Sequence, residues 1–199
     1  MSLESVTGKD WILKRFDREK IIFLKENFSL DEITAKLLVL RNIEIKDINN
    51  FLNPSIKNFL PNPCNLLDMK KTSLRFLDVI KNNEMIGVLG DYDVDGATST
   101  ALLGKYFKEL NLRYEIYIPD RRTEGYGPSI KGFKELIEKG VKIIFTVDCG
   151  TLSFETIEYA KKKNIDVIVL DHHQSEINLP KAYSIINPNR IDDKSELQY

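Results

Sequence analysis

The sequence predicts an α/β protein with an open, mostly parallel five-stranded sheet, helices on both of its faces, and a small helical appendage in front. Three observations predict this. From about Asp68 onward, short apolar runs alternate with amphipathic stretches, and the runs are nearly continuous in Val, Ile and Leu, as strands covered on both faces require. Upstream, as far as Phe51-Leu52, apolar residues recur at helical spacing. Between the two lies a Pro- and Asn-rich run, Asn53-Pro54-Ser55 to Pro61-Asn62-Pro63, which reads as a connector. The expected division is therefore 1–66 for the appendage with its connector and 67–199 for the main domain.

In the appendage, Ile21, Ile22, Leu24 and Phe28 mark one apolar face, and Ser29 is placed to cap a second helix carrying Ile33, Leu37, Leu38 and Leu40. A shorter segment from Glu44 to Leu52 follows. The pair superficially resembles a helix-turn-helix, but Arg41 and Lys46 are too few for a groove-reading surface. Trp11 reads as a packing residue here. The main domain opens with a helix carrying Leu74, Leu77 and Ile80, followed by strands at Ile86–Leu89, Arg113–Ile118, Lys142–Val147, Asp166–Leu170 and Tyr183–Ile186. Helices fall near Ala97–Leu110, Ser129–Lys139 and Ser153–Lys163. Gly140 sits where a helix should turn, Ser153 where a cap belongs, and Lys161–Lys163 in a last turn that suits cations.

Composition narrows the function classes. The chain has 199 residues, 42% of them hydrophobic and 30% charged, which suits a globular core and excludes a disordered chain. No apolar run is long enough to cross a bilayer and Met1-Ser2-Leu3-Glu4 is not a secretory start, so a cytoplasmic setting is expected. Cys64 and Cys149 are too few and too far apart for a disulfide framework or a zinc site, and both are expected as free thiols. The net charge of −1 means that any nucleic-acid contact must use local patches.

Chemistry is to be sought beyond the carboxyl ends of the strands, where open parallel sheets bind ligands. Three strands end there in aspartate: Asp91-Tyr92-Asp93-Val94-Asp95-Gly96, Asp148-Cys149-Gly150 and Asp171-His172-His173. One such Asp is commonly a helix cap, and adjacent histidines are commonly plain surface. The conjunction is different, because the only two histidines follow an Asp at a strand end in a sheet whose other strands also end in Asp. Carboxylates joined by imidazole suit Mn²⁺ or Mg²⁺, and at least three carboxylates can bridge two cations, an arrangement suited to phosphoester hydrolysis. Gly96 lets the backbone approach a ligand and opens a helix whose N–H groups suit an anion. The loop Pro119–Ser129 adds Arg121 and Arg122 to grip phosphate and Tyr126, between glycines, to stack on a base; its plainer reading is a solvated loop. Tyr92 reads as structural.

Gly90-Asp91-Tyr92-Asp93-Val94-Asp95-Gly96, Thr146-Val147-Asp148-Cys149-Gly150 and Asp171-His172-His173 resemble the first three motifs of the DHH phosphoesterases. The RecJ-type subfamily is most similar, through Pro119-x-Arg121 to Glu124-Gly125-Tyr126-Gly127, Phe51-Leu52-Asn53-Pro54-Ser55 and Asn187-Pro188. The resemblance implies metal ligation by Asp93, Asp95, Asp148 and His172, with Asp91, Asp171 and His173 supporting the metals or touching substrate, and Arg121 on a phosphate. It implies two Mn²⁺ or Mg²⁺ ions and processive 5′-to-3′ removal of nucleotides from single-stranded DNA in repair and recombination, with a single-strand-binding protein as a partner. Such proteins also have a fourth Asp-containing motif, a second substrate-binding domain and an OB-type domain. This chain stops before them and is expected to be an N-terminal fragment, weak or inactive alone. Two alternatives stand beside this: a DHH phosphodiesterase of short oligonucleotides or cyclic dinucleotides, and a non-catalytic replication scaffold resembling RecJ.

Overall fold

The computed structural model describes residues 2–12 and 14–197, apart from the side chains of residues 2–4 and Trp11. The expected packing role of Trp11 therefore lies outside the described residues. The chain divides into two compact units, Met1–Pro61 and Asn62–Tyr199.

The first unit begins with strands β1 (Ser2–Glu4) and β2 (Asp10–Ile12), paired antiparallel. This corrects the expectation that the whole stretch is helical. Helices α1 (Arg18–Phe28) and α2 (Glu32–Leu40) follow, then a 3₁₀ turn at Ile45–Asp47, α3 (Ile48–Leu52) and α4 (Ile56–Phe59). Asp17 and Asp31 cap α1 and α2, each carboxylate accepting from two N–H groups of the first turn. Ser29 is not the cap of α2. It ends α1 at φ 52°, in the left-handed turn that separates the two helices. Ile21, Leu24, Ala35, Leu38 and Ile48 form the small core of this unit.

The second unit runs α5 (Met69–Asn82), β3 (Ile86–Leu89), α6 (Val94–Glu109), β4 (Tyr114–Tyr117), α7 (Arg121–Glu124), α8 (Ile130–Glu138), β5 (Ile143–Val147), α9 (Phe154–Lys162), β6 (Asp166–Leu170) and β7 (Ser184–Ile186). The five strands lie in the order β4-β3-β5-β6-β7, and every pairing is parallel. Strand side chains alternate between two cores. Ile86, Val88, Ile143, Phe145, Val147 and Ile168 meet Val79 of α5 and Phe107 of α6 on one face. Leu89, Ile144, Val167 and Val169 meet Phe133 and Leu136 of α8 and Ile157 and Ala160 of α9 on the other. Both faces are therefore covered, which is why β3 and β5 are buried at every position.

Within α5 the apolar face differs from a simple reading. Leu74, Leu77 and Ile80 are exposed, whereas Thr72, Phe76 and Val79 face the sheet. Phe107 has ring neighbours Phe76, Tyr114 and Phe145, all with centroids within 6.0 Å, and is 1% exposed. Phe107→Ala is expected to cost about 3–5 kcal/mol, read as a lower midpoint in urea unfolding. A midpoint within error of wild type would show that this core does not hold the unit together.

Candidate metal centre

From β3 the chain crosses to β4 on one side, then returns to β5 on the other, so the connections diverge above the gap between β3 and β5. Ligands of open α/β sheets lie in that crevice, beyond the carboxyl ends of the strands. Four strand tips deliver polar residues to this edge: Asp91 just after β3, Asp148 after β5, Asp171 after β6 and Asn187 after β7. Asp95, Asp148, Asp171 and His172 line a cleft of about 350 Å³ there.

Two trios of ligand atoms lie within 4.8 Å of one another: Asp91, Asp93 and Asp148, and Asp148, His172 and His173. Asp148 belongs to both. It sits at φ 60°, an unusual conformation for a residue other than glycine, and its Oδ1 is 3.0 Å from His172 Nε2. Asp91 is 1% exposed, and its Oδ1 accepts from the Tyr92 N–H at 2.7 Å. Asp93 caps α6 by accepting from the Gly96 N–H at 2.9 Å. That N–H holds Asp93 below the usual carboxylate range, while burial and the neighbouring Asp93 push Asp148 above it.

Two buried carboxylate oxygens, Asp91 Oδ2 and Asp148 Oδ2, have no hydrogen-bond partner among the described residues. Buried acceptors without donors are costly, and three crowded carboxylates repel. A divalent cation removes both penalties at once, and the oxygen-and-imidazole donor set suits Mn²⁺ or Mg²⁺. The residues therefore fit such an ion.

Asp171 supports the histidines from beneath. Its Oδ1 accepts from the N–H groups of His172 and His173 and lies 2.7 Å from His173 Nδ1, and its Oδ2 accepts from the Thr151 N–H at 3.0 Å. Burial raises its pKa, but these bonds together outweigh burial and leave it lowered. Burial likewise opposes charge on His173, and Asp171 with the nearby carboxylates more than compensates, so its pKa is raised. Thr151 and Asn187, which sequence reasoning gave no role, hold the histidine segment. Asn187 is fully buried, donates to Thr151 Oγ1 at 2.8 Å and to the His173 carbonyl at 2.9 Å, and accepts from the Asn189 N–H at 2.8 Å. Asn189 in turn donates to the His172 carbonyl. Asn187→Ala is expected to weaken Mn²⁺ binding by about 10–100-fold, the usual effect of losing a residue that orients a ligand. Calorimetric titration checks this, and unchanged affinity would contradict it.

The remaining sequence candidates are placed as follows. Asp95 lines the cleft but belongs to neither trio among the described residues. Gly96, at the helix start expected to offer N–H groups to an anion, gives its own N–H to Asp93. Its lack of a side chain makes room for Asp91, since a Cβ there would stand 2.6 Å from Asp91 Cβ. Tyr126 Oη is 2.8 Å from His173 Nε2, which joins the loop to the histidines. Arg121 lies over the Tyr92 ring at 5.1 Å. Both cysteines are free thiols; Cys149 is buried, which pushes its thiol pKa well up.

Glu124 was missed as an organising residue. Burial raises its pKa, but bonds from Ser129, Tyr117, the Asp120 N–H and Lys131 bring it down to about 2. A depressed carboxyl contributes stability that is fully present above its unfolded value of 4.5 and is lost as pH falls toward 2. Acid unfolding of wild type is thus expected to steepen through that window, and Glu124→Gln to lose this part of the slope. Identical slopes in the two proteins would refute it.

A doubly covered parallel α/β sheet with carboxylates and imidazoles gathered in a cleft at its switch point is the class that fold and site define. The DHH family, N-terminal domain, matches residues 85–198. The chain belongs to the DHH family. It is 34% identical over 181 residues to the single-stranded-DNA-specific exonuclease RecJ of Bacillus subtilis, covering 90% of this chain and 23% of that protein. It is 37% identical over 142 residues to the Escherichia coli protein of the same name, covering 71% of this chain and 24% of that protein. The chain thus spans about a quarter of the length of these relatives. A crystal structure of an exonuclease RecJ bound to manganese superposes with TM-score 0.59 at 29% identity, covering 64% of this chain and 33% of that one. That of RecJ with Mn²⁺ from Thermus thermophilus gives 0.65 at 21% identity over 88% of this chain and 24% of that one, a likeness of fold.

Proposed function

We propose that this chain carries the metal centre of an exonuclease that hydrolyses phosphodiester bonds of single-stranded DNA from the 5′ end. The observation that carries the proposal is the pair of trios meeting at Asp148, with two buried carboxylate oxygens awaiting a donor or a cation. The names of the relatives and the manganese in one of the matching structures support the same reading.

Asp91, Asp93, Asp148 and His172 would hold two divalent ions, Mn²⁺ or Mg²⁺, with Asp95 on the cleft wall and His173 beside them, its Nδ1 on Asp171 and its Nε2 on Tyr126. Bound there, the pair would supply Lewis-acid charge to water activation and to the phosphoryl oxygens. The chain's own residues do the rest. Asp171 fixes the histidine backbone and the His173 ring, and Asn187 fixes the peptide carbonyl of His173. Arg121, stacked on Tyr92, offers its guanidinium to a backbone phosphate, and Tyr126 offers a ring to a base. The free thiols suit a reducing cytoplasm, and a single-strand-binding protein as partner belongs to the same reading.

The test is hydrolysis by the full-length protein encoded by the gene, with Mn²⁺, of 5′- and 3′-labelled single strands, duplexes and dinucleotides. Mononucleotides released from the 5′ end of single strands support the proposal. Preference for dinucleotides replaces it with a short-oligonucleotide phosphodiesterase, and no Mn²⁺-dependent hydrolysis of any substrate favours a non-catalytic scaffold. Among the described residues no helix is long and apolar enough to cross a membrane.

A further inference from the structure

The loop that carries Arg121 and Tyr126 is shaped by a residue outside the two trios. Glu124 is 6% exposed at its side chain, yet it is a carboxylate, and a buried carboxylate persists only where donors surround it. Four donor groups from three parts of the fold do so. Tyr117 Oη at the end of β4 is 2.8 Å from both oxygens, and the Asp120 N–H, Ser129 Oγ and Lys131 Nζ donate at 3.1, 2.6 and 3.3 Å. The end of β4, the start of α7 and the cap of α8 are thereby tied to one point. Gly125 and Gly127 adopt φ 81° and 79° with open space where a Cβ would sit, so the left-handed backbone and not a close approach calls for glycine on either side of Tyr126. Even so, Tyr126 arrives 2.8 Å from His173 Nε2.

We propose that Glu124 is a positioning residue that anchors the Pro119–Ser129 loop so that Tyr126 meets His173 and Arg121 lies over the Tyr92 ring. The inference rests on the reading of the cleft as the phosphodiester site and adds to it the element that builds its substrate side. Charge is part of the design, because a neutral carboxamide would carry an N–H donor into a pocket made of donors.

The protein's two histidines provide the probe, since two imidazole signals can be followed in the metal-free 199-residue chain by NMR. Tyr126→Phe is expected to move the His173 signal and leave His172 near its wild-type position. Glu124→Gln is expected to move His173 by a similar amount, and the double variant no further. Tyr117→Phe, which removes one donor and leaves the carboxylate, is expected to give a smaller shift in the same direction. Mn²⁺ affinity should change by the same factor in Tyr126→Phe and Glu124→Gln, as expected if both act through the single contact between Tyr126 and His173. An unmoved His173 in Glu124→Gln overturns the anchor, as does an Mn²⁺ affinity that falls about tenfold or more below that of Tyr126→Phe, which would mark a general structural role. If Glu124→Gln fails to fold, Tyr117→Phe decides: a shift at His173 sustains the anchor and none overturns it. A failed hydrolysis assay beside a responding His173 signal removes the functional reading and leaves the anchor, and the reverse removes the anchor alone.

Discussion

Replacing Asp148 by asparagine is expected to lower Mn²⁺-dependent hydrolysis by the full-length protein at least about a thousandfold while leaving single-strand binding nearly unchanged. Asp148 is the residue common to both trios, so its loss weakens two ion positions together. The substitution should also uncouple stability from metal. In the metal-free protein Asp148 is a buried carboxyl whose pKa is raised by burial and by Asp93, so a neutral amide relieves repulsion. The metal-free melting temperature is therefore expected to hold or rise. Wild type should gain about 2.7 kcal/mol from an ion supplied at a hundred times its dissociation constant, and the variant little. Thermal unfolding with and without Mn²⁺ reads this directly, and a variant that retains the metal-induced gain would remove Asp148 from the centre.

Gly96→Ala is the second large effect, and its sign is decided by two opposing terms. Alanine in a helix favours folding by about 1 kcal/mol over glycine. Here a Cβ would lie 2.6 Å from both Asp91 Cβ and the Asp91 carbonyl oxygen and 2.7 Å from its carbonyl carbon. Backbone does not yield as a flexible side chain does, and overpacking costs about 1–3 kcal/mol or more, so destabilisation wins. Relief by displacing Asp91 would spoil the first trio, so the variant should lose both urea resistance and Mn²⁺ affinity. A variant as stable as wild type with intact ion binding would show that Asp91 has freedom the structure does not suggest.

The main sheet was legible because every strand but the edge strand β4 is buried over most of its length. Apolar runs, interrupted in β4 by Glu115, put all five strands within a residue of their observed ends, and the aspartates following three of them led to the cleft. The hairpin of β1 and β2 was not legible, since three-residue strands that pair only with each other leave no periodic signal. In α5 two apolar stripes share helical spacing. Leu74, Leu77 and Ile80 are the more hydrophobic set, yet the sheet takes Phe76 and Val79. Ser29, expected as the cap of α2, stands instead in the left-handed turn that ends α1, and Asp31 two residues on is the cap. Asn187 could have been found by applying the strand-tip rule to β7 without restricting it to carboxylates. Glu124 left no such trace, because its burial depends on donors gathered from β4, α7 and α8.

Manganese anomalous scattering from crystals of this chain soaked in Mn²⁺ tests the central claim most directly. The account predicts two peaks beside Asp148, one toward Asp91 and Asp93 and the other toward His172 and His173. Peaks only at other surfaces, or none at a concentration that saturates the protein in solution, would contradict it.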